Sequence, residues 1–424
     1  MIEFRTIKGT HDILPEESFK WRHLENIIHQ ICAQYGYQEI RTPIFEQSKL
    51  FSRSVGKDSD IVTKEMYSWE DRGNTFLTLR PELTASVVRA FNQHNLSNLS
   101  PIQRFYYMGP LFRRERPQKG RQRQFHQFGI ETFGSKLPEQ DAEIIVLAWQ
   151  ILSQLGLDKK IDLQLNSIGT DVCRSAYREA LKKFLKPYLN QLSEISKRRF
   201  KTNPLRILDT KNEKELSILE NAPLINNFYT EEDREHFNEI KTYLDALNIP
   251  FNVNFRLVRG LDYYTKTVFE ITSSELGSQD AILGGGRYDS LVEHLGGKPT
   301  PGIGFAAGIE RILLLLKKKN SKIPKPFPDI YFICLEKKGI PASLIIAKRL
   351  RLKGFKIVSD TLRRSMKAQM RDANKIGAHF VLILGASELQ NKVITLKNLK
   401  NGEQKKIKQD DVVDFFETLI SKFV

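Results

Sequence analysis

Apolar residues in the first part of the chain recur at helical spacing between positions 15 and 36. These apolar residues are Phe19, Leu24, Ile27, Ile28, Ile31 and Tyr35. Pro15 suits the first turn of a helix, the acidic pair after it suits the positive end of the helix dipole, and Gly36 follows the last apolar residue. The spacing therefore predicts a long amphipathic helix, and a short strand ending at Pro43 is expected after it.

Two apolar runs flank a loop that is dense in Arg, Gln and Lys. Residues 105–108 and 124–131 are predicted to be the strands of a hairpin, with residues 114–123 as the loop between them. Other predicted elements are a strand at 76–80, a helix at 81–91 and a helix at 141–155. This alternation of strands and helices indicates a mixed α/β protein.

A fixed positive charge and two phenols lie close together in residues 259–265. Apolar residues at 252–258 and 268–271 predict that this segment is strand-like. Taken alone, Arg259 is as well explained by a solvated charge on a strand. Three glycines at 284–286 are predicted to form a tight turn beside a ligand, because no phosphate loop of the form G-x-x-x-x-G-K-[ST] occurs here.

The pattern changes after three closely spaced prolines, Pro324, Pro326 and Pro328, which indicate a linker. From there the chain alternates between strands and helices. The continuous apolar strands at 329–333 and 380–384 are typical of strands covered on both faces, and the intervening helices are predicted at 342–352 and 365–376. A Rossmann-type nucleotide domain is disfavoured because no G-x-G-x-x-G follows the first strand. We expect two domains, residues 1–325 and residues 326–424.

The charge of the chain points to a polyanionic partner. Its 66 Lys and Arg exceed its 50 Asp and Glu, which leaves a net charge of +16. Residues 326–424 hold 19 Lys and Arg against 10 Asp and Glu, so over half of the surplus lies in under a quarter of the chain. Such an asymmetry favours nucleic acid as a partner.

A second basic stretch, residues 174–206, carries ten Lys and Arg against two Glu. It is either a solvated helical face or part of an insertion, at about residues 170–250, that touches an RNA backbone.

The three cysteines are far apart in sequence, so that reduced thiols are expected. Residues 1–5 lack an apolar signal core and the longest aliphatic run, 312–316, is too short to cross a bilayer. We expect a cytoplasmic protein with no membrane association.

Four short segments taken together resemble the histidyl-tRNA synthetases, a family of class II aminoacyl-tRNA synthetases. They are Phe112-Arg113-Arg114-Glu115, Arg259-Gly260-Leu261-Asp262-Tyr263-Tyr264, Gly284-Gly285-Gly286-Arg287-Tyr288 and Gly308-Ile309-Glu310-Arg311. The class I signatures are absent. The resemblance implies an antiparallel catalytic sheet flanked by helices, a helical insertion and a carboxy-terminal α/β anticodon-binding domain.

The resemblance also implies an ATP site. Arg113 would bridge the amino-acid carboxylate and the α-phosphate, while Arg311 and Arg121 would bind the γ-phosphate side. Adenine would stack on Phe125, and Glu115 would belong to the same site. These arginines are suited to the task because a guanidinium forks onto phosphate oxygens and stays charged.

The residues implied for binding histidine come from four segments. They are Glu82, Leu83, Thr84, Arg113, Gln127, Glu131, Arg259, Tyr263 and Tyr264. An imidazole needs a carboxylate for one ring N–H and a polar phenol near the other nitrogen, which Glu131 and Tyr264 would supply. The resemblance further implies that Arg113 and Arg259 stabilise the reacting α-phosphate. His126 alternates to the opposite strand face, and we interpret it as structural.

The implied reaction is ATP-dependent formation of histidyl-adenylate, followed by transfer of histidine to tRNA(His). The resemblance also implies a homodimer, with Mg²⁺ bound to ATP and no metal site in the protein. Leu83, Lys266 and Ser290 depart from residues common in the family. Two alternatives stay open: a regulatory relative that serves ATP phosphoribosyltransferase, and a plain RNA-binding protein. The first typically lacks the arginine equivalent to Arg259, and the second does not explain the converging arginines.

Overall fold

A computed structural model of the protein describes residues 4–56, 59, 61–118, 120–277, 280–321 and 323–420. Residues 1–3 of the amino-terminal segment and residue 119 of the arginine-rich loop therefore lie outside the described residues. The chain divides into two compact units, Met1–Ile323 and Pro324–Val424. Each unit is described by itself.

The strands of the first unit run in chain order from the end of the first helix to the start of the last one. They are β1 (Gln38–Glu39), β2 (Phe45–Gln47), β3 (Tyr67–Glu70), β4 (Phe76–Leu79), β5 (Gln103–Phe112), β6 (Gln124–Phe133), β7 (Asp162–Ser167), β8 (Asn252–Val253), β9 (Thr265–Thr272), β10 (Ala281–Arg287) and β11 (Gly302–Gly308).

Its α-helices connect and cover these strands. They are α1 (Pro15–Gln34), α2 (Ser48–Ser54), α3 (Thr84–Gln93), α4 (Pro138–Gln154), α5 (Asp171–Leu185), α6 (Glu194–Thr202), α7 (Glu213–Leu219), α8 (Glu231–Ala246), α9 (Leu291–His294) and α10 (Ile309–Lys318). Within the insertion, short 3-10 helices lie at Lys186–Gln191, Pro204–Asp209 and Ile225–Phe228. The predicted helices at 15–36, 81–91 and 141–155 are confirmed, and so is the helical character of the insertion.

A large sheet forms the centre of this unit, with strand order β1-β5-β6-β11-β10-β9-β7-β8. The six inner strands pair antiparallel, whereas β1 and β8 pair parallel at the two edges. The predicted hairpin is confirmed as β5 and β6, whose register runs from Gln103 opposite Phe133 to Phe112 opposite Gln124. Strands β2, β4 and β3 form a separate small sheet.

Strand alternation separates the core from the site. On β6, Phe128 and Ile130 are buried in a core shared with α1, α4, α8 and α10. Because successive side chains of a strand point to opposite faces, Gln127 and Glu131 belong to the other face. That face is covered in part by α3 and by the insertion, and between them it leaves a cavity.

Two predictions for the segments around this cavity were wrong. Residues 254–264 do not continue a strand: β8 ends at Val253 and β9 begins at Thr265. Strand β7 binds the start of this loop, through the Leu165 carbonyl and the Asn166 side chain, whereas side chains of the insertion bind the carbonyls of Gly260 and Tyr264. Residues 284–286 are not a turn but lie inside β10. Glycine is required there by close approach of the backbone, since a Cβ at Gly285 would lie 2.3 Å from the Gly304 carbonyl oxygen.

The second unit is a small α/β sandwich. Its strands are β12 (Ile330–Cys334), β13 (Ile357–Ser359), β14 (Phe380–Leu384), β15 (Val393–Asn398) and β16 (Gln404–Lys408), and its helices are α11 (Ile340–Leu352), α12 (Met366–Ile376), α13 (Ala386–Gln390) and α14 (Val412–Ile420). The sheet order is β13-β12-β14-β15-β16. Helices α11 and α14 pack on one face and α12 on the other, which confirms that the apolar strands are covered on both sides.

Within the parts of the chain that the structure describes, no helix has both the length and the apolar character needed to cross a membrane.

Candidate active site

The cavity beside the central sheet has a volume of about 1010 Å³. The structure brings to its wall all the residues singled out in the sequence. They are Glu82, Leu83, Thr84, Arg113, Glu115, Arg121, Phe125, Gln127, Glu131, Arg259, Tyr263, Tyr264 and Arg311. The elements that supply them are the start of α3, the β5–β6 hairpin, the loop before β9 and the start of α10.

Glu131 forms the buried polar end of the cavity. Its Oε1 accepts hydrogen bonds from Thr84 Oγ1 at 2.7 Å and from the Tyr107 hydroxyl at 3.0 Å, and its Oε2 accepts one from the Tyr288 hydroxyl. Burial raises the pKa of Glu131 to about 8, against the opposing effect of these donors. A carboxylate can accept about four hydrogen bonds, so one accepting position is left for a ligand N–H.

Tyr107 and Tyr288 were not predicted to belong to the site. Tyr107 lies opposite Gly129 in the β5–β6 register, and a Cβ at Gly129 would be 2.3 Å from its hydroxyl oxygen. A Cβ at Gly304 would similarly lie 2.0 Å from Oε2 of Glu131. The glycines therefore make room for a cluster of buried hydroxyls. A glycine placed opposite an aromatic residue was the available signal, but it is legible only once the register is known.

Arg287, the residue before Tyr288, anchors the end of β10 through buried ion pairs. Its guanidinium is fully buried and lies 2.6 Å from the carboxylate of Asp141 in α4, and 3.0 Å from that of Asp289. A buried charge requires such pairing because removing it from water is costly. Arg287 of the glycine-rich segment therefore pairs with carboxylates inside the protein, whereas Tyr288 after it lines the cavity.

Glu82 lies at the start of α3, where both of its oxygens accept from the Ala85 backbone N–H, at 3.0 Å and 3.3 Å. Burial raises its pKa to about 7, although these backbone donors and Arg113 act against the rise. Leu83 beside it is 2% exposed. Both residues reach the cavity, so that Glu82 combines a helix-capping role with a position at the wall.

Arginines form a second group of lining residues in the cavity. Arg113 donates to the Pro81 carbonyl at 2.9 Å and lies 5.2 Å from the centre of the Phe125 ring. Arg121 pairs with Glu115 at 2.9 Å, and Arg311 donates to the Gly120 carbonyl at 3.3 Å.

The electrostatics of these arginines are typical of an anion site. Burial lowers the pKa of Arg311, and the charges of Arg121 and Arg113 lower it further. Arg113 and Arg121 lie 4.0 Å and 2.9 Å from the Glu115 carboxylate, and Arg311 binds the carbonyl of the residue before Arg121, so the three cations lie near one another. A polyphosphate would relieve their mutual repulsion, because charge-assisted hydrogen bonds to phosphate are strong.

Arg259 projects from the loop before β9 and is paired with Glu270 of β9, with Nη1 and Oε2 2.6 Å apart. Burial alone would lower its pKa, but the charge and hydrogen bond of Glu270, together with Tyr264 and Asp209, outweigh burial and the pKa is raised. Its buried Nε has no hydrogen-bond partner among the described residues. The adjacent Tyr263 and Tyr264 rings are 4.7 Å apart. The cation is therefore held in place and keeps one donor for a ligand.

His126 lies outside the cavity wall, on the core side of β6. Its Nδ1 and its backbone N–H both bind Glu310, each at 2.9 Å, and Trp21 packs edge-on against its ring with centroids 4.9 Å apart. These contacts connect β6 to the start of α10, next to Arg311. Among the described residues, no group of three His, Cys, Asp or Glu side chains is placed to hold a metal ion.

A six-stranded antiparallel core, with arginines at the end of β5 and at the start of α10 facing one cavity, defines the fold of a class II aminoacyl-tRNA synthetase. Comparison with known proteins narrows this class. The family model described as histidyl-tRNA synthetase matches residues 9–312, and the model described as anticodon binding domain matches residues 329–419.

Curated relatives and solved structures agree with these family models. The histidine–tRNA ligase of Caldanaerobacter subterraneus subsp. tengcongensis is 46% identical over 406 residues, covering 96% of this chain and 97% of the relative. That of Chloroherpeton thalassium is 47% identical over 98% of each protein. The crystal structure of the apo histidyl-tRNA synthetase of S. aureus superposes with a TM-score of 0.83 at 37% identity, covering 97% of this chain and 99% of that one. The chain belongs to the histidyl-tRNA synthetase family.

Proposed function

We propose that the enzyme, a histidine–tRNA ligase by its family, binds L-histidine and ATP in the cavity beside the central sheet. The observation that carries the proposal is the polarity of that cavity. A buried carboxylate with one accepting position left and a separate group of arginines line the same cavity. Histidine with its imidazole toward Glu131 and its carboxylate toward the arginines fits this polarity, with ATP on the arginine side.

Recognition of the imidazole is assigned to Glu131, with Tyr264 near the second ring nitrogen. Glu82, Leu83 and Thr84 would lie near the α-amino group, and Gln127 shares the strand face of Glu131. The support for Glu131 is its cluster of donors: Thr84, Tyr107 and Tyr288 orient both oxygens. A carboxylate oriented in this way can discriminate strongly against analogues that lack the ring N–H.

The first step forms histidyl-adenylate. An oxygen of the histidine carboxylate attacks the α-phosphorus of ATP, and pyrophosphate leaves with the electrons of the broken P–O bond. Charge develops on the α-phosphate oxygens, and we assign its stabilisation to Arg113 and Arg259, which need no proton transfer to act. Arg121 and Arg311 would bind the γ-phosphate side, and Phe125 would stack on adenine, with Arg113 shifting from its ring face.

Mg²⁺ would accompany ATP and would neutralise part of the charge on the β- and γ-phosphates. It commonly binds through one or two carboxylates together with substrate phosphates. Glu115 is the carboxylate that fits this role, because it lines the cavity beside Arg121. The ion is proposed as part of the substrate and not as a resident metal of the protein.

In the second step, the terminal ribose hydroxyl of tRNA(His) attacks the carbonyl carbon of the mixed anhydride, and AMP leaves. The loop at 116–123 borders the cavity and is assigned to the acceptor end. We propose a catalytic domain at 1–325, with its insertion at about 170–250, and an anticodon-binding domain at 326–424. The basic surplus of the latter supports contact with RNA phosphates.

We further propose a cytoplasmic homodimer. The small sheet β2-β4-β3 and the segment before it expose large apolar side chains, which are Ile44 (45%), Phe45 (52%), Trp69 (40%) and Phe76 (59%). Contiguous exposed apolar surface on a protein of this kind commonly marks an interface. Sedimentation analysis of the wild-type chain and of Phe45→Glu tests the assignment, since a monomeric wild type would contradict it.

The activity is tested by ATP–pyrophosphate exchange with each standard amino acid in turn, followed by charging of tRNA(His). Exchange that depends on histidine alone, together with charging of this tRNA, is the expected result. A regulatory relative would show no exchange. A plain RNA-binding protein would bind the tRNA without charging it.

A further inference from the structure

The loop at 254–264 carries three residues of the proposed site but forms no regular secondary structure. Arg259 and the two tyrosines would have to be held to within a fraction of an ångström to act on a transition state, about 0.5 Å for a productive site. A loop reaches that precision only when other groups fix it. The hydrogen bonds to its second half come from the insertion as well as from Glu270 of the sheet.

Arg206 of the insertion donates two hydrogen bonds to this loop. It lies in the 3-10 helix Pro204–Asp209, and its Nε donates to Oδ1 of Asp262 at 2.8 Å while its Nη2 donates to the Gly260 carbonyl at 3.1 Å. Asn203 donates to the same Asp262 oxygen at 2.8 Å. The guanidinium therefore binds the loop on both sides of Leu261, and its side chain is only 11% exposed.

The far side of Asp262 faces the catalytic core. A Cβ at Gly56 would lie 2.2 Å from Oδ2 of Asp262, so the carboxylate is enclosed between the core and the insertion. A second bond from the insertion, donated by Arg174 of α5, reaches the Tyr264 carbonyl. The insertion thus contacts the loop on both sides of Tyr263, while the sheet binds it through the Arg259–Glu270 pair.

We propose that Arg206 is a positioning residue for adenylation, through which the insertion sets the place of Arg259, Tyr263 and Tyr264. The inference rests on the proposed roles of these three residues. An arginine suits the task because its planar fork binds a carboxylate and a carbonyl together, whereas lysine is a single point charge. The insertion then serves the chemical step of the core directly.

The same arginine borders a small cavity of about 220 Å³, which Arg178, Arg198, Arg199 and Asp262 also line. A cluster of this charge could instead bind an RNA phosphate. The two roles differ in one measurable respect. Positioning acts on ATP–pyrophosphate exchange in the absence of tRNA, whereas phosphate binding acts on the charging of tRNA alone.

The experiment compares Arg206→Ala, Arg206→Lys and Asp262→Asn in the full-length chain, with Arg178→Ala as the matched control. Arg178 lines the same small cavity, and among the described residues no hydrogen bond joins it to the loop. Misplacement by about 1 Å can cost about 10²-fold in rate. We expect kcat for exchange to fall at least about tenfold in Arg206→Ala, with the KM for ATP within about twofold and Arg178→Ala unchanged. Arg206→Lys should be intermediate.

A coupling measurement guards against a purely structural effect. The effects of Arg206→Ala and Asp262→Ala on kcat should be less than additive in the double variant, because both changes remove the Arg206–Asp262 bond, while each also removes a bond of its own, to the Gly260 carbonyl and from Asn203. If Arg206→Ala fails to fold, Asp262→Asn supplies the exchange measurement: loss of the carboxylate charge weakens the bonds from Arg206 and Asn203, so kcat for exchange should fall, and an unchanged kcat would overturn the proposal.

Four further outcomes overturn the proposal. Normal exchange with impaired charging in Arg206→Ala assigns the arginines to RNA, and an equal loss in Arg178→Ala removes the specificity for the loop. Arg259→Ala is measured in parallel. Should it exchange normally, the proposed role of Arg259 fails together with this inference; should it be inactive while Arg206→Ala is normal, this inference alone fails.

Discussion

Replacing Glu131 by glutamine tests whether this residue recognises the imidazole ring of histidine. Glutamine keeps the volume but removes the charge and replaces one acceptor oxygen by a donor amide. Oε1 accepts from two hydroxyls and Oε2 from one. The amide nitrogen should therefore take the place of Oε2, where the Tyr288 hydroxyl can turn from donor to acceptor. The fold of the site should survive, and the loss should fall on the ligand.

The size of this loss follows from the bond that disappears. A hydrogen bond to a charged group contributes about 1.5–3 kcal/mol, and each 1.36 kcal/mol is about a tenfold change in rate. The kcat/KM for histidine should therefore fall by about 10- to 150-fold in Glu131→Gln. The KM for ATP should change by less than about twofold, because the arginine end of the cavity is untouched.

The assay is ATP–pyrophosphate exchange with histidine and ATP varied separately, at about pH 7 and about pH 8.5. Because the pKa of Glu131 is raised to about 8 by burial, the free wild-type enzyme holds more ionised carboxylate at the higher pH. The ratio of wild type to variant should then be larger at pH 8.5. Glu388→Gln, which alters a carboxylate that accepts from Thr395 in the second unit, is the matched control and should leave exchange unchanged.

Equal weakening of histidine and ATP in Glu131→Gln, or no weakening of either, would refute the reasoning. The imidazole would then have to be recognised by other residues of the wall. Thermal unfolding of the same samples separates a lost ligand contact from a damaged site.

The remaining predictions concern charge, ring contacts, domains and stability. Arg259→Ala should slow adenylate formation by about 10²–10³ in single-turnover assays, with histidine binding still measurable; exchange within about threefold of wild type would contradict it. Tyr264→Phe should cost histidine affinity about 1 kcal/mol by equilibrium binding. Deleting residues 326–424 should preserve exchange but weaken tRNA binding in filter assays, and equal affinity would remove that unit from RNA recognition. Burial raises the pKa of Glu131 from 4.5 to about 8, so its contribution to stability is full below about pH 4.5 and is lost as pH rises through 8. Glutamine at this position does not titrate, so the melting temperature of Glu131→Gln relative to that of wild type should rise from about pH 5 to 9. A constant difference between the two melting temperatures would contradict this prediction.

Lys266 illustrates a departure in sequence that the structure explains. It has a φ of 45°, which is a left-handed backbone conformation that glycine adopts more readily. Its Nζ is 2.6 Å from Glu232 of the insertion. Lysine at this position therefore adopts a backbone conformation that favours glycine, and it adds an ion pair between β9 and α8. The proposed ligand contacts are unaltered.

Local patterns in the sequence were sufficient for the elements whose burial is periodic. The hairpin strands β5 and β6, the helices α1 and α4, and the alternation of strands and helices after residue 328 all follow from apolar spacing, because each buries one face or two against a single core. The residues proposed for the site were also identifiable, since arginines and carboxylates in short segments resemble one family. The side of β6 that holds Gln127 follows from strand alternation alone.

Tertiary structure decided what depends on contacts between distant segments. The apolar residues at 254–264 predict a strand, but the carbonyls of Gly260 and Tyr264 are bound by arginines of the insertion and not by a neighbouring strand. Tyr107 and Tyr288 joined Glu131 only through the register of β5, β6 and β10, which no local pattern specifies. The same holds for Glu270 beside Arg259. Apolar periodicity records which face of an element is buried, whereas the partner of a buried polar group is set by the packing of elements far apart in sequence.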